Sequence, residues 1–193
     1  MKSIGMNVLL ISTLSILSPL ANADKTDTQN NIEQARSLVK AFGSDLKSTL
    51  VTSMKAEGPI KALTVCNEEA GPIAKKHSAL AEWDISRTST KVRNINNTPD
   101  DWESAVLLQF EKRKAASENV KTMEYMEAIK KGEKTTYRYM KPITTAGACL
   151  TCHGKKLDAT VANKIHSLYP QDQATGFEIG DIRGAFSLTK TSH

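Results

Sequence analysis

The chain has 193 residues, 39% of them hydrophobic and 24% charged, which is enough for one sizeable core and too little for two. Two Trp, four Tyr and four Phe, with a mean hydropathy of −0.37, exclude a polytopic membrane protein and argue against a core packed by aromatics alone. The net charge of +5 is spread over Lys75-Lys76, Lys112-Arg113-Lys114, Lys130-Lys131 and Lys155-Lys156 with no interleaved aromatics, so a solvated surface is expected and no nucleic-acid partner.

In chain order, Lys2 precedes an apolar stretch over 4–20, and Ala21-Asn22-Ala23 follows as a small-x-small site, the pattern of a cleaved export signal. A membrane anchor needs about 20 predominantly apolar residues, whereas Ser, Asn and Thr interrupt this stretch. Residues 1–23 are therefore read as a signal peptide and 24–193 as a single mature domain, soluble and periplasmic.

Next, Ile32, Ala35, Leu38, Val39, Phe42, Leu46, Leu50, Val51 and Met54 recur at three-four spacing, which predicts one long amphipathic helix stopped near Gly58-Pro59. Its stripe is long enough either to pack wholly on its own sheet or to reach past the domain and pair with a second copy as a homodimer through this helix. Pro59 suits the first position of a second helix whose Ile60, Leu63, Cys66 and Ala70 share one face, pointing Cys66 inward. Pro72 opens a short third helical piece. Trp83, Ile85, Arg87 and Ser89 then alternate with Asp84, Ser86 and Thr88 as a strand does.

Thr98-Pro99, followed by Asp100, Asp101 and Glu103, reads as a helix start with Thr98 as the cap, and Trp102, Val106 and Phe110 face inward. β-Favouring runs follow at 123–126 and 135–143, and a last strand at 181–189 alternates Ile182, Gly184, Phe186 and Leu188. Between them a helix begins at Asp158, with Val161, Ile165 and Leu168 on one face, and ends at Tyr169-Pro170. This order predicts an α+β domain, an antiparallel sheet with a long N-terminal helix and further helices packed on one face.

Two of the three cysteines occur as Cys149-Leu150-Thr151-Cys152-His153, the attachment pattern of a c-type haem. Two thiols three positions apart add to the two vinyl groups of one porphyrin edge, and the next residue supplies an imidazole to the iron, so His153 is the proximal ligand. A thioredoxin-like dithiol needs a βαβ context, and a zinc site needs a second ligand pair; neither is present. One motif means one covalent haem c and one iron.

The sixth ligand is open on spacing alone, with Cys66, His77, His166, His193, Met54, Met123, Met126 and Met140 as donors. His193 is terminal, His166 lies on a polar helix side, and His77 adjoins Lys75-Lys76 on what reads as a wet surface. Cys66 is the one thiol not used by the porphyrin. It is either a plain buried cysteine or a protected ligand.

Arg87-Thr88-Ser89, Lys91-Val92-Arg93-Asn94, Asn97-Thr98-Pro99-Asp100, Trp102-Glu103, Tyr137-Arg138-Tyr139-Met140-Lys141-Pro142-Ile143, the motif with Gly154, and Gly180-Asp181-Ile182-Arg183-Gly184-Ala185 together resemble a family of single-haem c-type proteins of unknown function. Its members are free-standing exported proteins or sensory parts of membrane receptors and kinases. The likeness runs from about Leu38 to Leu188, with Ile95 departing from the usual Pro after Arg-Asn. It implies a PAS-like α+β fold and axial ligation by the motif histidine and a cysteine of an N-terminal helix, here His153 and Cys66.

A thiolate donates charge to iron, stabilises the ferric state and lowers the reduction potential. On reduction, Cys66 is expected to loosen and to open a position for CO or NO. Arg87, Arg93 and Arg138 are the expected haem-propionate partners, because guanidinium pairs carboxylates bidentately. The expected function is a redox- or gas-responsive sensor or binding module whose redox or signalling partner is a separate protein. A low-potential periplasmic electron-transfer cytochrome is the alternative. No distal His/Arg pair suggests an enzyme.

Overall fold

The computed structural model describes residues 20–192, with side chains from 27 onward; residues 1–19 of the proposed signal over 1–23 and the candidate His193 lie outside the described residues. Helix α1 (Leu20–Ala79) is interrupted at Gly58, whose φ of 78° and ψ of −175° fall in a region essentially reserved to glycine. Pro59 follows in the first turn of the second arm, where its missing N–H costs little. His77 Nε2 donates to Asp45 Oδ2 at 2.9 Å, so residues far apart on a straight helix meet and the two arms form a hairpin. Gly58→Ala is expected to cost about 1–3 kcal/mol, read as a lower denaturation midpoint.

The second arm runs through Pro72 to Ala79, where a separate helical piece was expected. Ile73, Ala74 and His77 keep burying against the core on the far side of Pro72, and that burial outweighs one lost backbone bond. His77 is likewise not on a wet surface. It is 8% exposed, edge-on to Phe42 at 5.9 Å.

Strands β1 (Asp84–Thr88), β2 (Tyr125–Lys131), β3 (Lys134–Thr144) and β4 (Ile182–Ser192) form one sheet in the order β1-β4-β3-β2, every neighbouring pair antiparallel. Ala35, Leu38, Val39 and Phe42 of the first arm pack on Ile85, Tyr137, Tyr139 and Leu188. Polar contacts fix this arm: Tyr137 Oη donates to Asp27, and Arg36 and Tyr139 Oη share the carboxylate of Glu124. Leu50, Val51 and Met54, further along the stripe, are only half-buried.

Helix α2 (Asp101–Ala115) covers the opposite face, where Val106, Leu107 and Phe110 meet Met123, Met140, Ile182 and Ala185. The α+β class is as expected, but helices flank both faces of the sheet, since alternate residues of β3 and β4 are apolar on both sides. The α2 cap is Asp100, which accepts from Glu103 N at 2.7 Å while Glu103 accepts from Asp100 N at 3.0 Å. Thr98 instead donates to Ile95 O at 2.6 Å, closing the 3-10 turn Ile95–Asn97. Strand β2 begins after Met123, which is drawn into the α2-side core, and its register is set by the hairpin with β3. Among the described residues no helix is long and apolar enough to cross a membrane.

Candidate functional site

The cysteine motif folds as a 3-10 turn, Gly147–Cys149, running into the single-turn helix α3 (Leu150–His153). Gly154 ends it: its N–H donates to Leu150 O at 3.0 Å, and a Cβ there would stand 2.6 Å from that same oxygen. The chain then returns alongside, with Phe177 N donating to His153 O at 3.0 Å. Cys149 and Cys152, three positions apart on these turns, are both half-buried free thiols.

His153 donates from Nδ1 to Ala174 O at 2.7 Å, since a carbonyl can only accept. That bond fixes the tautomer and leaves Nε2 as a free lone pair. Burial, reinforced by the charges of Arg183 and Arg93, pushes its pKa down to about 2. A neutral imidazole oriented by a backbone carbonyl is how proteins present a metal-binding histidine.

Arg93 ties this arrangement together. Its guanidinium forks onto Asp172 at 3.0 and 3.1 Å, and Nη2 also reaches Cys152 O at 2.6 Å and Ala174 O at 3.2 Å. It thus braces the loop that holds His153 against the backbone of the motif itself. Its guanidinium fork, expected to face a propionate, is engaged by Asp172.

Arg138 is corrected, because alternation along β3 puts it on the α2 face. There it donates to Asp100 Oδ2 at 2.7 Å and lies over the Trp102 ring at 4.1 Å. It is absent from the charges acting on His153 and Cys66.

The second arm of α1 delivers Cys66 to the motif. Leu63, one turn earlier, is buried with Val161 and Ile165 of α4 (Ala159–Leu168), a helix capped by Asp158, and Ile60 and Cys152 pack on the same cluster. Burial pushes the Cys66 thiol up, opposed by the charges of Arg87, Arg183 and Arg93. Burial likewise raises Cys152, and Cys66 is one of the groups acting on it. Cys66, Cys149, Cys152 and His153 therefore share one electrostatic environment.

The other sixth-ligand candidates are elsewhere. His77 is held by Asp45, and His166 is exposed on α4. Met123 and Met140 fill the α2-side core, Met126 packs on the opposite cluster, and Met54 lies on the distal first arm.

Arg87 and Arg183 complete the site, and the second was missed in the sequence. Neither side chain has a hydrogen bond or ion pair among the described residues. Burial is the main cause that lowers both; neighbouring Arg87 and Arg93 help hold Arg183 at about 10, still charged. The groups acting on the pair are cysteines, Tyr169 and other arginines, with no carboxylate. The signal was present in the alternation of the last strand. Reading it as unbroken placed Ile182 with Phe186 and Leu188, whereas a bulge between them turns Ile182 to the α2 face.

The crystal structure of the cyanobacterial heme-protein Tll0287 is similar, with 27% identity and a TM-score of 0.56, over 90% of this chain and 96% of that one. No curated protein matches the chain. The model of the Tll0287-like family matches residues 15–190, and with nearly the whole length accounted for, the chain belongs to the Tll0287-like family.

Proposed function

We propose that this chain is an exported haem protein that holds one haem c through Cys149 and Cys152, with His153 and Cys66 as axial ligands, and that it works as a redox-responsive module. The observation that carries the reading is the meeting of a free His153 Nε2, three free thiols and two unpartnered guanidiniums at one place. That donor set fits the group. Two thiols suit two vinyl groups, imidazole and thiolate suit iron, and the guanidiniums offset the negative charge of a porphyrin dicarboxylate. The similar structure is described as a heme-protein, which supports the same conclusion. The PAS-like reading is supported by a strand order that sets the first strand beside the last.

When bound, the group supplies an iron that cycles between ferric and ferrous and that binds CO or NO where the thiolate is displaced. The chain supplies the response. Cys66 sits between the Gly58 kink and the His77–Asp45 clasp, so losing a partner for the thiol removes one of the ties on the second arm, which Ile60 and Leu63 hold against α4 and Ile73 and Ala74 hold against the core. A redox or signalling protein would read that change. Export to the periplasm, drawn from residues 1–23, belongs to the same proposal.

Mass spectrometry tests it. The exported protein should weigh the chain from near Asp24 plus one haem that resists acidified organic extraction. Cys149→Ala or Cys152→Ala should weaken attachment and the double variant abolish it, whereas fully extractable haem in the unaltered protein would refute covalent attachment.

A further inference from the structure

We infer that Arg87 and Arg183, on the adjacent strands β1 and β4, form a two-point receptor for the two carboxylates of the haem, an inference that rests on the haem reading above. The backbone builds the pair. Along β3 and β4, Ile143 pairs with Gly184 but Thr144 with Ile182, so Arg183 is the extra residue of a bulge, a device that re-aims side chains. Ile182 and Ala185 both pack on α2 although three positions apart, and Arg183 between them is turned to the other side. Its carbonyl accepts from Ser89 Oγ at 2.7 Å, which fastens the bulge beside the end of β1. Arg87 pairs in register with Phe186 and shares that residue's face, the one covered by α1.

Three guanidiniums gather beside Cys66 and His153. Arg93 is neutralised by Asp172, with side chains 11% and 9% exposed. Arg87 and Arg183 have each other, Arg93, Cys66, Cys149, Tyr169 and His153 as electrostatic neighbours, with no carboxylate among them. Two like charges half-buried together are unfavourable until a matching pair of anionic groups arrives. A dicarboxylate held by Cys149 and Cys152 at its vinyl edge matches them in number and in sign. Planar carboxylates also suit the guanidinium fork, which lysine lacks.

Infrared difference spectra of the holoprotein, isotope-labelled at the haem carboxylates, test this. Arg87→Gln and Arg183→Gln should each shift the labelled carboxylate bands and lower the reduction potential, while Arg183→Lys should shift them less and Arg138→Gln not at all. Bands in both glutamine variants that superimpose on the wild type, with haem mass retained, would overturn the receptor and leave the haem reading intact. That pattern would mean solvent anions alone neutralise the pair. A wild-type chain without covalent haem would instead overturn the reading beneath it. Should a glutamine variant fail to fold, the wild type decides alone. Its carboxylate bands should stay ionised below about pH 4, where unpaired carboxyls protonate, and bands that titrate as in free haem would refute the pairing.

Discussion

Replacing Cys66 with alanine is expected to abolish the thiolate-type low-spin ferric EPR signal of the holoprotein and to raise its reduction potential. The remaining iron should be five-coordinate or water-bound and open to external ligands. The expectation rests on placement: Cys66 follows Ile60 and Leu63, which pack with Cys152, and lies within electrostatic reach of Cys152, and the other described donors are committed or face elsewhere. Axial-ligand identity spans about 0.8 V in haem proteins, so a shift on the order of 0.1 V or more is expected. His77→Gln makes the contrast. It should lower stability through the lost bond to Asp45 and leave the EPR spectrum unchanged. A Cys66→Ala protein with wild-type EPR and absorption would remove the thiolate from the proposal. The variant also separates functions. An electron carrier would mainly change potential, whereas a responsive module should lose its oxidation-dependent change in shape or partner binding.

What could be read before folding was what is encoded locally. Cys149, Cys152 and His153 lie within five residues, so their chemistry needs no tertiary knowledge. Cys66 was placed inward by its helical phase with Ile60 and Leu63, and the structure sets that face against α4 and the motif. The kink at Gly58-Pro59 was legible because both residues act on their own backbone. The failures are all non-local. Whether a helix passes through Pro72 depends on what Ile73, Ala74 and His77 find to pack on. Which face of β3 carries Arg138 to the site depends on which helix covers that face, and α2 does. Arg183 was hidden because a bulge shifts the phase of its strand, and no residue type near it announces the shift. Arg93 was placed at the site, but its partner Asp172, 79 positions away, is invisible in the sequence.

Arg93→Gln is accordingly expected to be among the most destabilising single changes outside the apolar core. It leaves the Asp172 carboxylate, 9% exposed, buried without a counter-charge, and breaking one partner of such a pair costs about 3–5 kcal/mol. For a domain of this size that corresponds to a fall of roughly 6–20 °C in Tm. Cys152 O and Ala174 O lose a donor in the same step, and Ala174 O is the group that orients His153. The ferric spectrum should therefore broaden even where the protein remains folded. Changing both partners, Arg93→Met with Asp172→Leu, should recover part of the stability, because two apolar groups leave no charge unpaired, but not the spectrum, because the brace on the His153 loop stays absent. The two readouts separate the roles open to Arg93. If it paired with a haem carboxylate, Arg93→Gln would move the carboxylate bands and the potential with little loss of Tm; as a strut between Cys152 and the loop at Ala174, it must lower Tm first.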